Sequence, residues 1–176
     1  ADNRSLVYSS ERNGKRDLYI AKISRKEDLN FPNATLIEEE PLIHDKKLER
    51  DYPQFSPDGK VVAFIEDRNR LMVVNLDTKK IRQVTDGSTW YTRSGGFDYS
   101  WSPDGKWFTL EFIGNKHDPY SDIGLVSADG KGQIINLTNS GYTSGSPRWV
   151  MGGNAILFIT ERYGMRNHAS WGSLND

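Results

Sequence analysis

A hexapeptide built around Ser-Pro-Asp-Gly-Lys returns along this chain at a nearly constant interval. It stands at 55–60 as Phe-Ser-Pro-Asp-Gly-Lys and recurs 46 residues later, at 101–106, with Trp in place of Phe. A degenerate copy, Trp-Val-Met-Gly-Gly-Asn, follows 48 residues further on at 149–154. An apolar run comes directly after each copy. A period of roughly 20 to 50 residues is typical of arrays built from one repeated supersecondary unit.

Each repeat is predicted to contain four short antiparallel strands. The first strand ends in an aromatic residue, and Pro-Asp-Gly then favours a tight hairpin because Pro presets φ and Gly accepts positive φ. The second strand is the apolar run, which is nearly continuous because a strand covered on both faces needs no polar side. The segment 38–51, interrupted by Pro41, is expected to be a loop. Third strands are expected at 18–21, 71–75 and 123–126, and fourth strands at 81–85 and 134–138.

Sheets that are apolar on both faces must stack between similar sheets, and radial packing about an axis achieves this. The sequence therefore predicts an all-β fold, a β-propeller segment of four-stranded antiparallel blades. We expect two full repeats, at 51–97 and 98–144, and two partial ones, at about 4–50 and 145–176. Because propellers have roughly four to eight blades, we expect a piece of a larger propeller whose open blade edges either pair with another copy or fray.

Composition excludes several classes of function. The 23 Lys and Arg residues nearly balance the 24 Asp and Glu residues, so the net charge of -1 provides no overall field for nucleic acid. No apolar run approaches the roughly 18 residues that membrane insertion as a helix requires. The chain has no Cys, which excludes disulfides and thiolate metal sites and leaves the compartment open between cytosol and periplasm.

The segment 55–64, Phe-Ser-Pro-Asp-Gly-Lys-Val-Val-Ala-Phe, resembles the TolB-type propeller repeat, which also occurs in tricorn protease and in prolyl-oligopeptidase-like enzymes. The segment 157–173 is similar to part of the bacterial, Bacteroidetes-type tricorn-like serine proteases. This resemblance implies a periplasmic or envelope parent in which a propeller precedes a peptidase domain. The catalytic serine and its base lie in that later domain of the family, so no catalytic residue is carried onto this sequence.

No motif in the chain predicts catalysis, a cofactor or a metal. His44, His117 and His168 each stand alone, without metal-ligand spacing. Asp58 and Asp104 occupy the same turn of successive repeats, so we interpret them as turn residues that bond their own loop. The segment 141–145 lacks the spacing of a nucleophile elbow and is expected to be a connection between repeats.

One group of basic and aromatic residues favours peptide binding. In a propeller, the loops between second and third strands emerge on the same face as the links between blades, and here both are rich in basic and aromatic residues. Arg pairs bidentately with carboxylates, and aromatic rings bury area at low entropic cost, so this face suits peptide capture. Acidic neighbours favour ion pairs instead, and the Glu11-Arg12 pair is expected to support its blade. The predicted peptide-binding residues are Arg12, Arg16, Trp90, Tyr91, Arg93, His117, Arg162 and Arg166.

Three functions remain as alternatives. The first is a non-catalytic propeller segment that gates or presents peptides to a separate peptidase domain, with the rest of the propeller and that domain as partners. The second is a TolB-like periplasmic scaffold that binds a partner protein. The third is a propeller enzyme of the sialidase or lyase type, with a site on the axis.

Overall fold

The computed structural model describes residues 3–12, 14–43, 48–90, 96–114 and 120–162. Within these ranges the chain forms β-strands and two short 3₁₀ turns, Phe31–Asn33 and Met151–Gly153. The strands make four antiparallel sheets, which we call units 1 to 4 in chain order.

Units 2 and 3 are four-stranded, unit 1 has three strands and unit 4 has two. Within each unit the strands pair in chain order, each with its neighbour. The all-β fold with two full and two partial blades is confirmed, while the exact limits of the repeats stay predictions. The strands are β1 (Ser5–Ser10), β2 (Asp17–Ile23) and β3 (Ile37–Pro41) in unit 1; β4 (Arg50–Phe55), β5 (Val61–Glu66), β6 (Arg70–Asn75) and β7 (Ile81–Gln83) in unit 2; β8 (Tyr99–Trp101), β9 (Trp107–Phe112), β10 (Asp122–Ser127) and β11 (Ile135–Asn136) in unit 3; and β12 (Ser144–Val150) and β13 (Ala155–Thr160) in unit 4.

The prediction of a loop across 38–51 is wrong at both ends of that segment. The outer strand β3 pairs with β2 from Ile23 opposite Ile37 to Tyr19 opposite Pro41. Pro41 is tolerated because the next residue, Leu42, donates its N–H to the carbonyl of Leu18 at 2.8 Å, so the nitrogen of Pro41 on this edge strand points away from β2. At the other end, β4 already begins at Arg50.

The repeated hexapeptide folds as a hairpin turn that satisfies its own polar groups. In unit 2 the Ser56 hydroxyl donates to Asp58 at 2.6 Å and accepts from the N–H of Val61 at 3.0 Å. The N–H of Lys60 donates to Asp58 at 3.1 Å, and Gly59 takes a φ of 72° that suits glycine. Unit 3 repeats these contacts, with Ser102 donating to Asp104 at 2.6 Å. These aspartates are therefore turn residues, as expected.

Two apolar cores lie between the units, and unit 2 contributes to both. Val62 and Phe64 of β5 pack toward unit 1, in a cluster with Leu18. Ala63 and Ile65 of the same strand pack toward unit 3, in a cluster with Tyr99 and other apolar residues. This alternation explains why the second strand has no polar face.

A buried ion network joins units 1 and 2. Arg50 is 1% exposed, and its Nε lies 3.2 Å from Oε2 of Glu66 while its Nη1 lies 3.3 Å from Oδ1 of Asp17. Its backbone N–H donates to the carbonyl of Arg16 at 2.9 Å. Charges at this depth are tolerated only when they are paired. The network therefore fixes the start of β4 against the β1–β2 loop.

We predict that Arg50→Ala lowers the free energy of unfolding by about 3–5 kcal/mol, because it removes the buried cation that pairs with both Asp17 and Glu66. Glu66 keeps a second cationic partner, Arg70 at 3.4 Å. Urea unfolding followed by circular dichroism measures the loss. Arg68→Ala is the matched control: its pair with Glu49 at 3.4 Å is exposed, so we expect a change within about 0.5 kcal/mol. Equal losses in the two variants would contradict a structural role for the buried network.

The hairpin turn predicts a dependence of stability on pH. The pKa of Asp58 lies below its ordinary value of 3.8, first because the Ser56 hydroxyl donates to it and then because the Lys60 N–H does. The carboxylate therefore stabilises the fold above about pH 3.8, and this contribution is lost as the pH falls through the lowered folded value. Asp58→Asn should flatten the acid side of a stability curve measured by urea unfolding from about pH 2 to 6. An unchanged curve would contradict the assignment.

Candidate functional site

The turns between second and third strands lie beside the starts of the first strands. The N–H of Arg50 donates to the carbonyl of Arg16 at 2.9 Å, and the N–H of Asp67 donates to the carbonyl of Glu49 at 2.9 Å. The β1–β2 loop and the β5–β6 turn therefore meet the start of β4 on one side of the sheets. We call this side the loop face; it corresponds to the face predicted for peptide capture.

Arg12 is held against the sheet of unit 1. Its Nη1 lies 3.0 Å from Oε2 of Glu39, and its guanidinium carbon lies 4.2 Å from the centre of the Tyr19 ring. This bond lowers the pKa of Glu39, which stays a carboxylate. Arg12 does support its blade, but its partner is Glu39 on β3 rather than the adjacent Glu11.

Arg16 is also paired, and its pairs bridge two units. Its Nη2 lies 2.8 Å from Oε1 of Glu11, and its Nη1 donates to Asp51 of β4. The Asp51 and Glu11 bonds raise the pKa of Arg16. The side chain is 47% exposed, so water screens these pairs and a peptide carboxylate can compete for the guanidinium.

A cavity of about 200 Å³ opens on the loop face between units 1 and 2. Tyr52 and Ile65 give it an apolar part, and Tyr52 is 48% exposed. Its charged lining residues are Glu11, Arg16, Glu49, Arg50, Asp51 and Arg68. The cavity thus offers guanidinium groups, carboxylates and an aromatic ring within one opening.

Sequence reasoning missed Tyr52 as a site residue because its position depends on a β-bulge. The pairing of β4 with β5 shifts between Asp51 and Gln54, and Tyr52 takes a φ of 54°. The Tyr99 hydroxyl of unit 3 donates to the Tyr52 carbonyl. The run of charged residues just before β4 was the available signal for this site.

The other predicted residues lie on other units or outside the described ranges. Trp90 is half-buried in the link between units 2 and 3, with its ring 5.6 Å from that of Phe97, so it belongs to the core between them. Arg162 follows β13 and is exposed. The structure therefore brings only Arg12 and Arg16 of the described candidates onto one loop. Tyr91, Arg93, His117 and Arg166 lie outside the described residues.

In the part of the chain that the structure describes, no group of three His, Cys, Asp or Glu side chains is placed to hold a metal ion. All three histidines lie outside that part. Neither of the described 3₁₀ turns is long and apolar enough to cross a membrane.

Comparison with known proteins supports the propeller assignment. The Tol-Pal system protein TolB of Francisella tularensis is 24% identical over 153 residues, 82% of this chain and 31% of that protein. A tricorn-like protease C-terminal subunit of Sulfurisphaera tokodaii is 27% identical over 141 residues, 77% of this chain and 15% of that protein. The chain thus spans less than a third of either relative. No family model matches the chain.

Solved structures show the same fold. The tricorn protease matches 90% of this chain with a TM-score of 0.61 at 14% identity, and the match covers 14% of the protease. An oligogalacturonate lyase from Vibrio parahaemolyticus matches 84% of this chain, with a TM-score of 0.59 at 16% identity, over 40% of its own length. The fold and these similarities define the chain as a β-propeller segment. Within that class it resembles both TolB and the tricorn-like proteases, as the sequence predicted.

We predict that Tyr99→Phe lowers the free energy of unfolding by about 0.5–1.5 kcal/mol, because the Tyr52 carbonyl loses its buried donor. Tyr99 is 1% exposed, and Phe conserves its packing against Phe108, whose ring centre is 5.9 Å away. Urea unfolding measures the change. A variant as stable as the parent would show that this hydroxyl does not support the bulge.

Proposed function

We propose that this chain is a non-catalytic propeller segment of a tricorn-like protease. It binds extended peptides on its loop face and gates or presents them to a separate peptidase domain. The similarity to a tricorn-like protease subunit and to the tricorn protease supports this role. The proposed location is the periplasm or cell envelope, and the proposed partners are the peptide substrate, the peptidase domain and the rest of the propeller.

The cavity between units 1 and 2 is the observation that carries the proposal. Arg16 and Arg68 line it, and guanidinium groups pair bidentately with carboxylates. Tyr52 offers an exposed ring that can cover an apolar side chain with little loss of entropy. An extended peptide presents both kinds of group in series, so the cavity matches its chemistry.

The acidic lining residues set how strongly a peptide is held. Glu11 and Asp51 hold Arg16 in place before a peptide arrives, and a carboxylate must compete with them. Weak binding is suited to presentation, because a peptide that is passed onward must also leave. Selection for extended chains comes from a propeller channel, which is too narrow for a folded domain. Neither step needs a catalytic residue of this chain.

A TolB-like scaffold that binds a folded partner protein is the second candidate. It is favoured by the TolB relative, which aligns with 82% of this chain. The two candidates differ in the ligand of the loop face: unfolded peptides in the first, a folded protein surface in the second.

We predict that the chain binds unfolded peptides with a free C-terminal carboxylate about threefold more tightly than their amidated forms, since screened ion pairs are worth this little. Arg16→Ala should abolish the preference, and Glu11→Gln should increase it by freeing one side of the guanidinium. Fluorescence anisotropy with labelled peptides measures both. Arg25→Ala is the matched control. Arg25 is not a lining residue of the cavity and contacts Thr35 at 3.0 Å in the β2–β3 connection of unit 1.

The proposal fails if the free and amidated peptides bind equally and neither loop-face substitution changes their affinity. Tight binding of a folded protein, with no binding of unfolded peptides, would establish the scaffold instead. Arg162→Ala extends the test to unit 4, where loss of affinity would show that the peptide-binding surface reaches beyond the cavity.

A further inference from the structure

One position of the repeat lies at each junction between neighbouring units. It is the penultimate residue of the second strand, which faces the start of the first strand of the next unit. Alignment of the four second strands places the following residues there: Ser9, Ile65, Glu111 and Ile159.

The first two junctions use different chemistry at this position. Between units 1 and 2, the Ser9 hydroxyl donates to the Asp51 carboxylate. Between units 2 and 3, Ile65 packs in the apolar core with Phe97, and its Cδ1 lies 3.2 Å from the place that a Cβ on Gly96 would occupy. A hydroxyl thus meets a carboxylate at one junction, and an aliphatic chain meets glycine and an aromatic ring at the other.

The third junction is built around a carboxylate. Glu111 accepts from the N–H of Ser146 at 2.7 Å and from the N–H of Asp98 at 3.2 Å. A Cβ on Gly145 would lie 2.5 Å from its Oε1, so a larger residue there would require the carboxylate to move. Asp98 belongs to unit 3, so the N–H that crosses the junction is that of Ser146. The start of β12 therefore presents a backbone N–H, and the preceding second strand presents the acceptor that it needs.

In unit 4 the same face is open. Ile159 is 69% exposed and Leu157 is 63% exposed. Their equivalents in unit 2, Ile65 and Ala63, are 1% and 0% exposed because unit 3 covers them. In the other units, a neighbouring unit covers the equivalent positions. Large exposed aliphatic side chains at these positions of unit 4 therefore indicate a surface that packs against a further unit.

We propose that the face of β13 that carries Leu157 and Ile159 binds the first two strands of a further propeller unit. The incoming first strand begins with glycine and an aromatic residue, as Gly96 and Phe97 do, because the contact residue is isoleucine. It does not present a backbone N–H to this position, as Ser146 does to Glu111. A propeller unit is the expected partner because each of the three junctions between units 1 and 4 is formed by such a unit. The inference does not depend on peptide binding on the loop face.

Two hairpins of this chain serve as matched probes. The peptide 96–113 contains β8 and β9 and meets an isoleucine in the native fold; the peptide 144–160 contains β12 and β13 and meets a glutamate. Each is synthesised as a cyclic, fluorescently labelled peptide, which preforms the hairpin and reduces the entropic cost of binding. Binding to the full chain is measured by anisotropy.

We expect the peptide 96–113 to bind the parent chain more tightly than the peptide 144–160. Ile159→Lys should weaken that binding about tenfold, as expected when an aliphatic contact is replaced by a charge. Ile159→Glu should make the peptide 144–160 the tighter binder, because it recreates the carboxylate acceptor that Glu111 provides at the third junction. Ile135→Glu, on a residue of β11 that is 53% exposed, is the control and should change neither affinity.

Thermal unfolding followed by circular dichroism verifies that each variant is folded. Equal binding of the two peptides, or binding that is insensitive to residue 159, would overturn the proposal. Sedimentation of the chain without peptide tests a different occupant: a dimer that Ile159→Lys abolishes would assign the face to a second copy and would also overturn it.

Discussion

The need to cover both faces of every sheet governs this structure. In β5, Val62 and Phe64 face one neighbouring unit while Ala63 and Ile65 face the other, so both faces of this strand are apolar and buried. Burial of apolar surface supplies the driving force, and only stacking between similar sheets provides it on both sides. The turns, links and polar contacts are arranged around this stacking.

Apolar cores fill the junctions between units 1 and 2 and between units 2 and 3, but the polar contacts near the loop face differ from junction to junction. Arg50 is buried among carboxylates between units 1 and 2, whereas Glu111 of unit 3 accepts a backbone N–H of unit 4, that of Ser146. A sheet that packs against the wrong neighbour would leave one of these groups unpaired in a dry environment, which is costly. We infer that the cores provide stability and that the polar contacts fix the order of the units.

Sequence reasoning recovered the parts of the fold that depend on local chemistry. Ser56 and Asp58 complete their own turn, so the turn is encoded within the six residues 56–61 and is recognisable as a repeat. The buried network of Arg50 was not predicted, because its partners Asp17 and Glu66 come from different strands and are far apart in sequence. The site was only partly predicted for the same reason: Arg16 was identified, but the place of Tyr52 depends on a bulge in a strand of the next unit.

The outer strand β3 carries three consecutive glutamates, Glu38, Glu39 and Glu40, and all are exposed. An outer strand offers unpaired N–H and C=O groups to any extended chain, and charged side chains along that strand oppose the pairing. Arg12 and Lys22 pair with Glu39 and Glu40, so the rim of unit 1 carries hydrated charges of both signs that disfavour fibre-like growth. Under the proposed function, this charged rim would let the chain bind extended peptides on its loop face without its periphery templating them into aggregates.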